Sequence, residues 1–192
     1  MIFGGQPAFV DYISPTQVNA QLPNANLPIS PSFQLTLTYA TANSAPINLS
    51  VNATEPGLLA PASFNVGGHQ YVVAQFPDGT YVLPTGAIAG INSRPAKPGE
   101  TIIIYGIGFG LVSGNIFAGQ IVMQENQLLA PFEMMFANTP AQLPYFGLAP
   151  NLVGVYQFNV TVPAVPDNDL VPLTFKLGGV PGAQTLFTAV HE

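Results

Sequence analysis

The side chains able to do chemistry are few, and they do not converge along the chain. His69 and His191 are the only imidazoles from which a Ser-His-Asp relay could draw its base. One follows a Gly-Gly turn and the other is the penultimate residue, so both read as loop and tail positions. Glu125 and Glu133 flank an apolar run and make the nearest approach to a glycosidase carboxylate pair. Two acids on separate short strands are ordinarily solvated instead. Asp167-Asn168-Asp169 places three oxygen-bearing side chains in one turn, which makes Asp167 and Asp169 the calcium candidates of the chain. Calcium takes about six or more oxygens, and neighbouring Pro166 and Leu170 add no side-chain ligand, so a plain turn is the expected role. Ile107-Gly108-Phe109-Gly110 has the glycine spacing of a nucleotide loop, yet no helix follows to hold a phosphate at its N-terminus. It reads as a strand bend. Tyr39, Tyr71, Tyr81 and Tyr145 are the residues on which a sugar would stack, without any Trp to help them. Packing is their expected use. The reading is of a chain with no catalytic constellation and no cofactor.

Bulk composition narrows the function further. Charged residues are 6% of the chain, and Arg94, Lys97 and Lys176 are the whole basic complement on a net charge of −6. Nucleic-acid binding needs several phosphate contacts, and three scattered cations do not supply them. Hydrophobic residues reach 48%, but no run approaches the roughly 18 apolar residues of a membrane helix. Met1-Ile2-Phe3 lacks the basic and apolar regions of a signal peptide, so none is expected in this numbering. The absence of cysteine removes disulfides and thiolate metal sites. So little charge weakens the repulsion that keeps small domains apart and favours association.

The elements that must carry these residues are strands. Twenty prolines and nineteen glycines punctuate an apolar-rich sequence, a pattern of short strands rather than disorder. Phe33, Leu35 and Leu37 alternate with Gln34, Thr36 and Thr38, as on a half-buried antiparallel strand. Strands are expected at 8–12, 17–22, 32–39, 47–51, 70–76, 80–83, 101–105, 116–117, 120–124, 132–136, 155–162, 171–177 and 184–190. Pro77-Asp78-Gly79-Thr80 reads as a hairpin turn. Segment 90–99, with two prolines and no strand pattern, is the expected boundary between a first module, 1–98, and a second, 99–192. The hairpin at 70–83 then adds to the first module or bridges the two.

The first fifty residues are echoed near the end. Phe3-Gly4-Gly5-Gln6-Pro7-Ala8 answers Phe136-Ala137-Asn138-Thr139-Pro140-Ala141. Gln17-Val18-Asn19-Ala20-Gln21-Leu22-Pro23 answers Gln157-Phe158-Asn159-Val160-Thr161-Val162-Pro163, and Phe33–Leu37 answers Leu173–Leu177. Such self-similarity marks two versions of one β unit. A strong strand, Thr101 to Tyr105, precedes the later version, whereas only Met1 and Ile2 stand ahead of the earlier one.

Pro98-Gly99-Glu100-Thr101-Ile102-Ile103-Ile104-Tyr105-Gly106-Ile107-Gly108-Phe109-Gly110 resembles the opening strand of IPT/TIG domains, a branch of the immunoglobulin-like sandwiches. The order of segments is similar to the Solibacter-type C-terminal domain family of secreted acidobacterial proteins. The matching segments are Tyr12–Asn19, Glu55-Pro56-Gly57-Leu58 and Pro95–Gly99. The resemblance implies two Ig-like β-sandwich modules in tandem, the first lacking its opening strand, and an extracellular or cell-surface setting. It carries over no catalytic residue. An unfinished sandwich exposes an unpaired edge, and one way to cover it is a strand from a neighbouring subunit. The expected function is thus a structural subunit that builds a homopolymeric surface filament by β-strand addition. The contact residues are Ile2, Phe3, Phe9 and Val10 in an N-terminal arm, or Leu186, Phe187 and Val190 in the last strand. The alternative is a monomeric binding or anchoring module of a larger secreted protein. Asn48 and Asn52 lie in sequons open to glycans.

Overall fold

In the computed structural model, which describes residues 2–3, 6–23, 33–39 and 41–192, every regular element is a strand except one 3-10 turn, Ala62–Phe64. The N-terminal part holds β1 (Ile2–Phe3), β2 (Gln6–Pro7), β3 (Phe9–Ile13), β4 (Val18–Gln21), β5 (Phe33–Thr36), β6 (Thr38–Tyr39), β7 (Ala42–Asn43) and β8 (Ile47–Leu49). Short strands follow: β9 (Gly57–Leu58), β10 (Asn65–Val66), β11 (His69–Gln70), β12 (Ala74–Gln75), β13 (Tyr81–Val82) and β14 (Ser93–Arg94). The remainder is β15 (Thr101–Ile107), β16 (Phe132–Phe136), β17 (Thr139–Pro140), β18 (Gln142–Leu148), β19 (Tyr156–Thr161), β20 (Asn168–Leu177), β21 (Val180–Pro181) and β22 (Leu186–Val190).

Two sheets make the sandwich. One runs β14-β13-β12-β15-β19-β18, with β9 on the far end of β15, and the other runs β17-β16-β20, with β21 and β22 sharing the second edge of β20. Strict alternation dictates this packing. Ile102 and Ile104 on β15, Phe158 and Val160 on β19, and Leu173 and Phe175 on β20 all point into one core, while the residues between them face outward. Among the described residues the core side chains all lie between Leu58 and Val190, and none from Pro7 to Gly57 is buried.

The expected boundary after residue 98 is corrected by the pairing. Ala74 and Gln75 pair with Ile104 and Ile103, Leu58 pairs with Gly106, and Ala96 bridges Val190. Residues on either side of position 98 therefore share one sheet and one core. Packing thins out near residue 56 instead. Apolar positions of the short strands at 57–83 need the long strand β15 to be buried, and that need overrides the Pro-rich composition of the segment 90–99. The hairpin expected at 70–83 forms, turning at Pro77-Asp78-Gly79 with Thr80 N donating to Asp78 Oδ1 at 2.9 Å.

The bend after β15 fills the centre of the sandwich. Gly108, at φ +79°, admits no side chain because a Cβ there would lie 2.1 Å from the Glu55 carbonyl oxygen. The turn drives Phe109 fully inside, 4.8 Å from the Phe158 ring and 5.4 to 5.6 Å from those of Phe132, Tyr156 and Phe175. The Tyr156 hydroxyl donates to Gly110 O and closes the bend, and burial pushes its pKa up to about 12.

The bidentate ion pair among the described residues joins Arg94 to Glu100. Arg94 donates from both terminal nitrogens to the two Glu100 oxygens at 2.8 Å, and its guanidinium lies 3.6 Å above the Phe76 ring. The Arg94 hydrogen bond, with help from Lys97 N, holds the Glu100 carboxyl below its ordinary value of 4.5. A carboxyl lowered on folding stabilises the fold above that value, and the contribution is lost as pH falls through the folded-state pKa. Denaturant midpoints are therefore expected to drop as pH falls from neutrality through and below 4.5, and Glu100→Gln to flatten part of that drop. An unchanged slope in the variant would show that this pair contributes nothing.

Candidate assembly interface

The residues singled out for chemistry lie apart. Asp167 Oδ1 accepts from Glu192 N at 3.0 Å, Asn168 Oδ1 accepts from Leu170 N at 2.8 Å, and Asp169 Oδ1 lies 3.0 Å from His191 Nε2. Their oxygens thus serve local turns and the chain end, and among the described residues no three such groups gather around a common point. Glu133 faces Lys176 at 4.0 Å across the β16–β20 pair, and Glu125 is exposed in a loop. The His69 ring sits edge-on to Phe187 at 5.2 Å. Tyr71 and Tyr145 turn their hydroxyls onto Asp169 O and Leu148 O, at 2.9 and 2.6 Å, and Tyr81 packs on Phe64. Burial raises the pKa of both Tyr71 and Tyr145. Tyr39 ends β6, and its side chain lies outside the described residues.

The proposed contact residues divide sharply. Leu186, Phe187 and Val190 stand in β22, which pairs with β20 on one side. On its other side Val72 N donates to Phe187 O and Ala96 N to Ala189 O. Leu186 and Val190 are buried. The last strand is therefore an interior element and no free arm: its alternating apolar residues are satisfied within the chain. Ile2 and Phe3 form β1, flanked by β2 and β5. Phe9 and Val10 lie on β3 with 44% and 48% of their surface exposed.

The N-terminal strands reproduce the later ones pair for pair. Ile2 meets Pro7 and Phe3 meets Gln6, as Met135 meets Pro140 and Phe136 meets Thr139. Phe9, Tyr12 and Ile13 oppose Gln21, Asn19 and Val18, as Gln142, Tyr145 and Phe146 oppose Thr161, Asn159 and Phe158. Each hairpin carries a bulge, between Val10 and Tyr12 in one and between Gln142 and Tyr145 in the other. Phe33, Gln34 and Leu35 meet Leu49, Asn48 and Ile47, as Val171, Pro172 and Leu173 meet Thr188, Phe187 and Leu186. Thr38 pairs with Asn43 as Lys176 pairs with Pro181. The sequence set Phe33 against Leu173, whereas the pairing sets Leu35 there, two residues along. A two-residue slip preserves which side chains face inward, so alternation alone could not detect it.

What differs is the surroundings. In the later copy β19 takes β15 on its second edge, from Thr101 opposite Thr161 to Gly106 opposite Tyr156. The outer edge of β18 is met by Leu128 N, which donates to Phe146 O, and by the buried Asn126 amide, which bonds to both the N–H and the C=O of Leu148. Among the described residues, no strand lies on the second edge of β4, β3 or β8. Positions buried in one copy are open in the other. Leu22, matching buried Val162, is 40% exposed, and Ile47, matching buried Leu186, is 58% exposed. The β3–β4 hairpin rests on the sandwich through Gln21 Oε1, which accepts from Gly119 N at 2.7 Å, and through Phe9, whose ring covers Gly119 so closely that a Cβ would lie 2.2 Å from it.

No match to this chain was found among protein-family profiles, curated proteins or solved structures. The interface must be read from its own geometry. Among the described residues, no helix is long and apolar enough to cross a membrane. The loop under Phe9 adds exposed Phe117, Ile121 and Met123 to the apolar surface of the hairpin. Strands are expected at 116–117 and 120–124, but no strand forms there: Gln120 N turns back onto Phe117 O, and Val122 bonds to Leu152 O and Asn151 N. The strand β18, with Pro144 and Gly147 inside it, escaped the sequence reading. The repeat itself was the signal that would have found it, since its counterpart β3 was read as a strand.

Proposed function

We propose that this chain is an extracellular structural subunit that assembles into a surface filament by β-strand addition between identical subunits. The observation that supports it is the N-terminal half-sandwich, built in the register of a complete one while its outer edges stay unpaired among the described residues. We read both units as IPT/TIG-like immunoglobulin sandwiches of the Solibacter-type C-terminal domain family, the first with no strand beside β4 among the described residues other than β3. Unpaired edges template pairing with another chain. The edges of β4 and β8 are different surfaces, so joining one to the other is heterologous and does not close, which gives a fibre. Of the two segments read as donors, only the N-terminal one keeps a free edge, along β3. Asn48 is exposed on β8 and Asn52 donates its amide to Glu55 Oε2 at 2.8 Å; glycans there would flank the contact.

A second reading is favoured by the engagement of both β1 and β22 within the chain. In it the chain is a binding or anchoring module of a larger secreted protein, and the completing strand comes from that same polypeptide. Sedimentation velocity and negative-stain microscopy over rising concentration separate the two. Growth into fibres is expected, and a sharp monomer at the highest concentration would overturn the filament.

A further inference from the structure

We infer that the second edge of β4 is an acceptor for one kind of ligand: an extended segment in trans with apolar residues at alternate positions, closed by a glycine bend that delivers a phenylalanine. The inference rests on the open β4 edge of the strand-addition reading and names a donor for it other than the β8 edge. Its basis is that the chain contains the same site already filled. Beside β19 lies β15, antiparallel, with Ile102 opposite Val160 and Ile104 opposite Phe158, and Phe109 turned in behind them. Val18, Ala20 and Leu22 hold the places of Phe158, Val160 and Val162.

The backbone direction on β4 agrees. Ser14 N donates to Gln17 O at 2.8 Å, which turns Gln17 toward β3. Backbone groups alternate along a strand, so Asn19 and Gln21 also face β3, while the N–H and C=O of Val18, Ala20 and Leu22 face the other edge. In the filled copy the corresponding groups are in use: Val162 N donates to Glu100 O, and Val162 O accepts from Gly99 N. The side chains agree as well. Val18 and Ala20 are half-buried and Leu22 is exposed, against full burial of their counterparts beside β15. An incoming strand of this pattern satisfies the three backbone positions and covers the three side chains together. A segment with proline or a charged side chain at the places of Ile102 and Ile104 does neither.

The probe is a fluorescent peptide with the sequence of residues 98–110, titrated into the full-length protein and followed by anisotropy, with hydrogen exchange locating the contact. Saturable binding is expected, with slowed exchange at Val18, Ala20 and Leu22. A peptide with serine at the positions of Ile102, Ile104 and Phe109 is expected to bind at least about tenfold more weakly. Ala20→Pro removes an outward N–H without touching the β3–β4 bonds and is expected to cost a similar factor. Leu22→Glu, an exposed side-chain change that leaves the backbone intact, serves if the proline variant misfolds. No binding, or binding that leaves exchange at β4 unchanged, overturns the inference. Fibres without peptide binding would leave the filament standing and refute this partner, whereas binding without fibres would do the reverse.

Discussion

Phe109→Ala is expected to destabilise the sandwich by about 4 kcal/mol, the largest effect of any single side chain in the core. The ring is fully buried and touches four other rings, drawn from β15's neighbour β19 and from β16 and β20 in the opposite sheet. Its removal leaves a hole bounded by both sheets, which neither can fill without breaking its own register. A domain of this size holds roughly 5–15 kcal/mol in all, so the variant should unfold at markedly lower denaturant with little change in slope. Phe109→Leu keeps most of the volume and is expected to lose about 1.5 kcal/mol. Equilibrium urea melts of the three proteins give the comparison. A loss below about 1 kcal/mol for the alanine variant would mean that the sheets close over the gap.

Phe109 also shows why part of this architecture was legible in the sequence. The apolar stretches at 101–105, 132–136 and 171–177 were legible as strands, and the structure turns alternate residues of each into the core. The glycines at 106, 108 and 110 marked a bend. The duplication announced that two copies share a plan, and the pairing of β1 to β8 bears the same registers as β16 to β22. What could not be read was the partner of each edge. Leu58 is held by β15 and by the Gln184 amide, which bonds to its N–H at 2.7 Å and its C=O at 2.9 Å. Nothing local to Gly57-Leu58 foretells a glutamine more than a hundred residues away. Likewise Asn126 acts as a substitute strand on β18 through one side chain. The pairing of Leu186–Val190 is hidden for the same reason: an alternating apolar strand looks alike whether it is offered outward or locked between β20 and residues 72 and 96.

A chain that starts at Val51 is expected to fold with nearly the full stability of the whole protein and to lose assembly completely. Among the described residues every core side chain lies beyond that point, and segment 52–56, which supports the glycine bend through the bond from Glu55 N to Gly108 O at 2.9 Å, is retained. What is removed, among the described residues, is a set of short strands without a fully buried side chain, tied to the sandwich by the Gln21 bond to Gly119 and by the Phe9 ring. One part-buried hydrogen bond and half of one aromatic side chain amount to about 2 kcal/mol together, a shift of a few degrees at most in the melting temperature. The assembly readout should change entirely, because the unpaired edges of β3, β4 and β8 all leave with those residues. Thermal melts and sedimentation of the two proteins at matched concentration decide the matter. Continued assembly of the shorter chain would move the contact to the sandwich itself, onto the loop that exposes Phe117, Ile121 and Met123. Failure to fold would instead show that the half-sandwich is a structural part of the larger one, and its edges would then have to be understood as one side of a single domain.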